Sequence, residues 1–409
     1  MDFGQIKQYF DIVLSKRLSS VDVNSGISHQ HELGGFAPLR KVLGDNDIKN
    51  ISARYIYLSD NITLNDDSTT AWYDARRKNP NRGPEYRLYY PSGVKSLSNC
   101  RAGDLAVVAV SSNPLRITFI FAEAESSVEA QLIWAFGLAD GNRFTESHAM
   151  NNRIDAFTSD LLRRMGIQPH TPSVASNLVT DMFSRWPNSF PSGREFAEYA
   201  RSTSECDSSD NPDERIVAYF NQQTILFMEY EKEDRRRRLE PLVKTTNPNY
   251  EAIDEECYSM RQRRKSAAGH AFEYHLEAIF KDNGIQFQPQ AKTEDRKKPD
   301  FLFPSSKAYA AAREGCFPTD HLAMLGAKTT AKDRWRQVLN EADLIPRKHL
   351  VTLEASITVD QTTEMIDSNL QLVVPKQIQS SYTPEQQRHL WTVSDFISYI
   401  SDLQHIANE

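Results

Sequence analysis

The stretch from Pro299 to Glu341 constrains this chain most, because it sets acidic and basic side chains at the ends of short apolar runs. Asp300 opens one apolar run and Lys328 ends the next, so each is predicted at the end of a buried strand. A basic segment follows and predicts a helix over residues 331–344, which carries Glu341. Two carboxylates that hold Mg²⁺ beside a lysine are what a metal-dependent phosphodiesterase needs. The stretch therefore predicts a phosphodiester-hydrolysing site.

The second carboxylate of this site is not where the pattern first suggests. A Pro-Asp pair followed by a distant lysine resembles the outline of the PD-(D/E)xK nuclease fold, in which an acid stands two residues before the lysine. That position holds Gly326. Glu341 can replace the missing charge if the predicted helix packs across the strand end. The alternative is that Glu341 is a helix-surface acid paired with a nearby arginine.

A further acid precedes this stretch. Residues 267–281 have apolar positions at helical spacing and predict a helix that carries Glu273. Glu273 is either an accessory acidic group of the site or an ordinary exposed glutamate. Strands and helices alternate from this helix onward, which predicts an α/β domain with a mixed central sheet.

Charge is unevenly distributed along the chain. The 409 residues carry a formal net charge of −7, whereas residues 261–350 hold 17 Lys and Arg against 11 Asp and Glu. A local basic field in an acidic protein favours a confined site for an anionic partner over general binding of polyanions. A solvated basic face is the alternative.

The first part of the chain has short strand signals over residues 53–58, 86–90, 104–110 and 115–121, separated by turn residues, which predict a small barrel or sandwich. Residues 3–14 instead predict a short amphipathic helix. Two polar arms, residues 16–36 and 72–90, would flank the barrel and could grip a DNA groove from both sides. An ordinary soluble loop is the alternative for the second arm. The candidate DNA contacts on the arms are Lys16, Arg17, His29, Gln30, Arg76, Arg77 and Arg82.

Composition and the position of the prolines indicate how the chain is divided and where it acts. A proline-rich stretch over about residues 166–190 predicts a linker, with domains over 1–180 and 181–409. The four cysteines form no CxxC pair, which argues against a zinc site or a disulfide framework and favours a reducing cytoplasm. Neither a signal peptide nor an apolar run long enough for a membrane span is found in the sequence, so we expect no membrane association.

Several stretches of the sequence resemble a known family, the EcoRII-type restriction endonucleases. The likeness is densest from Phe190 to Pro375 and thinner in the first half, where Lys16-Arg17-Leu18-Ser19, Asp22 and His29-Gln30 keep their order. The densest matching stretches are residues 190–193, 264–273, 298–305, 328–343 and 373–375.

The resemblance implies a fold and a set of roles. It implies an α/β catalytic domain of restriction-endonuclease type, preceded by a mainly β pseudobarrel domain that binds effector DNA. Asp300, Lys328 and Glu341 would form the active site with Mg²⁺, and Glu273 would be the extra acid. Residues 332–334, with Arg336 in the same segment, would read outer CC·GG pairs of double-stranded DNA. The reading residues are Lys332, Asp333, Arg334 and Arg336.

The expected activity is that of a type II restriction endonuclease that acts on a short palindromic site as a homodimer, because a palindrome needs a two-fold protein. Two alternatives stay open in the sequence. One is a modification-dependent nuclease whose front domain reads a methylated base, and the other is a DNA-binding regulator with a decayed nuclease domain.

Overall fold

The structure is a computed structural model, in which the chain divides into two compact units, Asp2–Pro169 and His170–Glu409. The division lies inside the predicted linker, and residue 180, the predicted boundary, lies within a helix of the second unit. The structure describes residues 5–23, 32–34, 36–60, 62–78, 81–139, 141–147, 156–167, 173–187, 190–294, 297–331 and 334–406, without the side chains of residues 156, 157, 160, 164, 173–175 and 261–269.

The first unit is built on an eight-stranded sheet. Its order is β2-β5-β4-β3-β7-β6-β1-β8, and all neighbouring strands are antiparallel except β3 and β7. The strands are β1 Ile12–Arg17, β2 Glu32–Gly34, β3 Ile48–Leu58, β4 Thr63–Asp74, β5 Tyr86–Tyr89, β6 Leu105–Ser112, β7 Leu115–Ala122 and β8 Thr145–Glu146.

The two ends of this sheet meet through an aromatic stack. Phe36 follows the edge strand β2, Phe144 precedes the opposite edge strand β8, and their ring centroids lie 4.2 Å apart. Both rings belong to a buried apolar cluster lined by alternate residues of the central strands, such as Tyr55 and Phe119. The sheet therefore curls around a filled interior, and the predicted mainly β pseudobarrel is confirmed.

Short helices surround the curled sheet. They are α1 Ser20–Val23, α2 Arg40–Leu43, α3 Lys95–Ser98, α4 Ser127–Phe136 and α5 Ala156–Arg164, with 3₁₀ turns over Ile6–Gln8 and Ala37–Leu39. The helix predicted over residues 3–14 was wrong. Residues 12–14 belong to β1, where they are buried between β6 and β8, so pairing on both sides overrides their local helical spacing.

The second unit contains a five-stranded mixed sheet of order β13-β12-β11-β10-β9. The strands are β9 Gln288–Pro289, β10 Phe301–Phe303, β11 Ala323–Lys328, β12 Lys348–Thr352 and β13 Leu370–Val373. The β9, β10 and β11 pairings are antiparallel, while β11, β12 and β13 run parallel. The predicted α/β class with a mixed sheet is confirmed.

Helices cover the sheet and extend the unit. They are α6 Ser173–Arg185, α7 Gly193–Ser202, α8 Pro212–Val243, α9 Tyr250–Asp282, α10 Ser306–Arg313, α11 Trp335–Leu339, α12 Val359–Asp367, α13 Lys376–Gln379, α14 Pro384–Gln387 and α15 Val393–Ile406, with a 3₁₀ turn over Thr319–His321. None of the described helices is long and apolar enough to cross a membrane.

Two helix predictions near the candidate site need correction. The helix predicted over residues 267–281 begins at Tyr250, where the side chain of Asn249 caps it by accepting the N–H of Ala252. The helix predicted over residues 331–344 is only α11, Trp335–Leu339. Glu341 therefore lies in the turn after a short helix, not on a helix face.

Candidate active site

Asp300 stands immediately before β10 and is 6% exposed. Its Oδ2 accepts the backbone N–H of Ala327 at 2.7 Å and the Nζ of Lys328 at 2.7 Å. The first bond follows from the antiparallel pairing of β10 with β11, which sets Phe301 opposite Leu325. The sheet thus fixes the carboxylate of Asp300 against the last residues of the neighbouring strand.

Lys328 is the last residue of β11, and its side chain is 22% exposed. Its ion pair with Asp300 lies at the edge of the sheet, where the ammonium group remains accessible from solvent. The strand-borne aspartate and lysine predicted from the sequence are thus direct neighbours. A partly accessible lysine held this way can face an anionic group that approaches Asp300.

Glu341 enters the site from the turn after α11. The backbone N–H of Glu341 donates to the carbonyl of Val338 at 3.2 Å, and Ala342 then adopts a left-handed φ of 51° that reverses the chain. The carbonyl oxygens of Glu341 and Ala342 accept the Nζ of Lys348 at 2.6 and 2.7 Å. The turn, and not an extended helix, directs the Glu341 carboxyl group.

The electrostatics of Glu341 link it to the other two residues. Burial raises the pKa of Glu341 to about 7, and the negative charge of Asp300 adds to this increase. The ammonium groups of Lys328 and Lys348 oppose the shift. Glu341 Oε2 is buried and has no hydrogen-bond partner in the described part of the chain. The carboxyl group of Glu341 therefore shares the electrostatic environment of Asp300 and Lys328, and one of its oxygens is unsatisfied.

Glu273 joins the site through an amide that the sequence analysis missed. Nε2 of Gln290 donates to Glu273 Oε2 at 3.0 Å and to Asp300 Oδ1 at 3.1 Å. Burial raises the pKa of Glu273, and the charge of Asp300 raises it further. The signal for Gln290 was its position directly after the residues that pair with β10, where its backbone N–H donates to the carbonyl of Asp300 at 3.1 Å.

The acids of the site fit a Mg²⁺ ion by their chemistry. Among the described residues, no group of three or more His, Cys, Asp or Glu side chains is close enough to form a metal site of protein ligands alone. Mg²⁺ needs only one or two carboxylates, because it retains several waters. The unsatisfied buried oxygen of Glu341, beside the charge of Asp300, is the kind of ligand that a divalent ion would satisfy.

The predicted base-reading segment is described only in part. Lys332 and Asp333 lie outside the described residues, whereas Arg334 is exposed at the N-terminus of α11. Arg336 is also exposed, but its guanidinium pairs with Glu364 at 2.6 Å. Of these two arginines, only Arg334 makes no side-chain hydrogen bond or ion pair with another described residue.

A buried acid holds the start of this segment. The backbone N–H of Ala331 donates to Oε2 of Glu354, which is 1% exposed. The Oγ1 of Thr352 donates to the carbonyl of Thr329 at 3.4 Å. The loop between Lys328 and the predicted reading residues is thus tied to the end of β12.

Two of the predicted effector contacts in the first unit are engaged in its fold. Lys16 is 8% exposed; its Nζ bonds to Asp22 at 2.8 Å and lies 5.0 Å from the ring centroid of Phe144. Arg17 pairs with Glu129. Both side chains thus form ion pairs within the first unit. Binding of Lys16 and Arg17 to DNA stays a prediction.

The second arm is more exposed. Arg76 pairs with Glu85 at 2.5 Å, and Arg77 pairs with Asp47 at 2.6 Å. Arg82 is exposed, and its side chain makes no hydrogen bond or ion pair with another described residue. His29 and Gln30, the predicted contacts of the first arm, lie outside the described residues. Among the described arginines of this arm, Arg82 is therefore the one whose charge is not engaged by an ion pair.

Comparison with known proteins finds a family match within the second unit. Residues 227–397 match the family model described as EcoRII C terminal. These residues are therefore similar to an EcoRII C-terminal domain. The match spans Asp300, Lys328 and Glu341 together with β9 to β13. The type II restriction enzyme EcoRII of Escherichia coli is 38% identical over 222 residues, which are 53% of this chain and 52% of that enzyme. The chain thus spans about half the length of this curated relative.

Two solved structures resemble the chain at lower similarity. Metal-depleted Ecl18kI in complex with uncleaved, modified DNA is 22% identical with a TM-score of 0.45 and covers 57% of this chain and 86% of that chain. A complex of restriction endonuclease PspGI with substrate DNA is 16% identical with a TM-score of 0.39 and covers 56% of this chain and 92% of that chain.

Proposed function

We propose that this protein is a Mg²⁺-dependent type II site-specific DNA endonuclease. The proposal rests on the ion pair of Asp300 with Lys328 and on the buried carboxyl group of Glu341, whose pKa both charges shift, within residues that match the EcoRII C-terminal family model. Each group comes from a different element, so their convergence depends on the fold. The relative that is 38% identical is a type II restriction enzyme, which supports the same reaction here.

The residues of the chain divide the work of in-line phosphodiester hydrolysis. Asp300 and Glu341 would hold the ion, and Glu273 would add negative charge through its shared contact with Gln290. A Mg²⁺ ion at this position supplies Lewis-acid polarisation of the phosphate and lowers the pKa of a water molecule. Lys328 would stabilise the charge that develops on the phosphate oxygens, from a position fixed by Asp300.

Recognition would come from the segment that follows Lys328. Arg334 is exposed, and an arginine can donate two hydrogen bonds to guanine, while an aspartate such as Asp333 can accept from cytosine. These pairings agree with outer CC/GG pairs in a short palindromic site. A palindromic site needs a two-fold protein, so we propose a homodimer built on the second unit.

The first unit would bind a second DNA copy as effector or restrain the second unit. Its support is the curled sheet that presents the exposed, arginine-rich loop with Arg82. Residues in loops presented by a rigid scaffold often carry binding function. This role is independent of the reaction proposed for the second unit.

Run-off sequencing of DNA digested in the presence of Mg²⁺ tests the function. The expected result is double-strand cuts at one short palindromic sequence, with a rate loss of at least about 10³ in Glu341→Ala. The exposed Glu314→Ala variant is the matched control and should cut normally. Cleavage by Glu341→Ala at a near-normal rate would remove Glu341 from the reaction. Parallel digestion of methylated and unmethylated DNA distinguishes a modification-dependent enzyme.

A further inference from the structure

A buried lysine that makes no ion pair with a described carboxylate lies next to the candidate site. Lys348 begins β12 and is 6% exposed, so its ammonium group has lost most of its hydration. Among the described residues, no carboxylate lies within ion-pair distance of its Nζ. Its two hydrogen bonds go to the carbonyl oxygens of Glu341 and Ala342, at 2.6 and 2.7 Å. Burial of a charged group is costly without such compensation, so this arrangement calls for an explanation.

The two carbonyls that Lys348 binds belong to the turn that directs Glu341. Ala342 has a φ of 51°, a conformation that residues with a Cβ adopt at a cost and that surrounding contacts must hold. A fixed carbonyl on Glu341 and on the next residue defines the backbone from which the Glu341 side chain leaves. Lys348 itself is held by β12, whose backbone pairs with β13.

The other contacts of this turn involve different atoms. The N–H of Glu341 donates to the carbonyl of Val338, and the N–H of Ile345 donates to the carbonyl of Ala342 at 3.0 Å. The N–H of Asp343 donates to Oε2 of Glu294 at 3.2 Å, and the N–H of Leu344 donates to the hydroxyl of Tyr309 at 3.1 Å. Lys348 is therefore the side chain that holds the carbonyl of Glu341 itself in the described structure.

We propose that Lys348 is a positioning residue that orients Glu341 for binding of the divalent ion. This inference rests on the proposed function, because Glu341 needs a fixed direction only if it is a ligand. The alternative is a lysine that only joins the turn to β12 for stability. Loss of a group that orients a metal ligand typically lowers metal affinity about 10- to 100-fold.

Calorimetric titration of the full chain with Ca²⁺ separates the two roles, because Ca²⁺ takes the same carboxylate oxygen ligands as Mg²⁺. The proteins compared are wild type, Lys348→Met, Glu341→Ala and the double variant. Lys348→Met should lower Ca²⁺ affinity about 10- to 100-fold. In the Glu341→Ala background the same change should lower it less than about twofold, because the ligand that Lys348 orients is gone. Lys307→Met, which removes an exposed lysine of α10, is the control and should leave affinity unchanged.

Two results would overturn the positioning role. One is a Lys348→Met affinity within about twofold of wild type, and the other is an equal loss in both backgrounds. If Lys348→Met does not fold by circular dichroism, Lys348→Arg replaces it in the same cycle, since a guanidinium cannot occupy the place of Nζ without moving the turn. Wild-type protein that neither binds Ca²⁺ nor cuts DNA with Mg²⁺ would instead overturn the proposed function, and this inference with it.

Discussion

A Cβ atom placed on Gly326 would lie 2.7 Å from Cγ2 of Val338, closer than real Cβ contacts allow. Val338 belongs to α11, so the glycine lets this helix pack directly on β11 two residues before Lys328. The nuclease pattern expects an acid at this position. The helix that takes its space also leads to the turn with Glu341. The glycine at position 326 and the placement of Glu341 in the following turn are therefore two consequences of one packing arrangement.

This contact predicts the effect of adding a methyl group at Gly326. Gly326→Ala should lower the free energy of unfolding by about 1–3 kcal/mol, because the buried, β-branched Val338 cannot move aside easily. Thermal or urea unfolding measures the change. In a Val338→Ala background, where the clashing methyl groups are absent, the cost should largely disappear. A Gly326→Ala protein as stable as wild type would show that α11 is free to shift.

The same region shows how far the sequence could predict the site. Asp300 and Lys328 were placed correctly relative to the strands, because Asp300 precedes one short apolar run and Lys328 closes the next. Glu341 was assigned to the site but to the wrong element, since α11 stops at Leu339. The turn after the helix is formed by the left-handed Ala342 and held by a lysine from the next strand, and neither has a local sequence signal.

The first unit shows the same limit on a larger scale. Strands with apolar runs, such as β6 and β7, were found from their composition. The strand β4 was missed because exposed and half-buried residues alternate along most of it, and few of its residues are apolar. Its place is fixed by long pairing with β3, a non-local contact that spacing along the chain does not reveal.

The raised pKa of Glu341 predicts a pH dependence of divalent-ion binding. With a pKa of about 7, the carboxyl group is mostly protonated below pH 7, and an ion must displace that proton. Affinity for Ca²⁺ should therefore rise about tenfold per pH unit as pH approaches 7 from below, and level off above it. Calorimetry between pH 5.5 and about 8.5 measures it. Flat affinity across this range would contradict the prediction.

In the metal-free protein, the raised pKa of Glu341 makes the folded state less stable as pH rises. The folded-state pKa lies above the ordinary value, so ionisation of Glu341 opposes folding as pH rises from about 4.5 through 7. Glu341→Gln keeps the shape but cannot ionise. Its thermal midpoint relative to wild type should therefore increase over this pH window, and an unchanged difference would show that the folded carboxyl is well solvated.

Arg334 and Arg336 should differ in their contribution to DNA binding. Arg334→Ala should weaken binding to the cognate site by about 1–3 kcal/mol, as expected for a lost guanine contact. Arg336→Ala should have a smaller effect, because its guanidinium is shared with Glu364 and lies 4.7 Å from the ring centroid of Trp335. Fluorescence anisotropy on cognate and unrelated duplexes separates the cases. Equal losses on both duplexes for Arg334→Ala would make it a phosphate contact.

Substitutions of Lys16 and of Arg82 should affect different properties of the first unit: the first lowers stability, and the second weakens DNA binding. Lys16→Met removes the buried partner of Asp22 and should lower the free energy of unfolding by at least about 1 kcal/mol. Arg82→Ala should change stability by less than about 0.5 kcal/mol, because the side chain is exposed. If the loop contacts effector DNA, Arg82→Ala weakens binding by the full chain. Wild-type DNA binding in Arg82→Ala would remove this residue from the proposed surface.

The boundary between the units determines which fragment can test whether the first unit restrains cleavage. The helix α6, Ser173–Arg185, contributes Val179 and Met182 to an apolar cluster with Phe196 and Leu226 of the second unit. A fragment of residues 170–409 keeps this cluster, whereas a start at residue 181 removes Val179 and the first half of α6. We therefore expect the fragment 170–409 to have the higher thermal midpoint of the two.

If the first unit restrains cleavage, the fragment 170–409 should cut DNA that carries a single site at least as fast as the full chain does. Added first unit, supplied as residues 1–169, should then slow the fragment, and the measurement is the initial rate on a one-site plasmid. The circular dichroism spectrum of the fragment is the control for folding. A folded fragment that is inert, while the full chain cuts, would mean that the first unit is required for the reaction instead of restraining it.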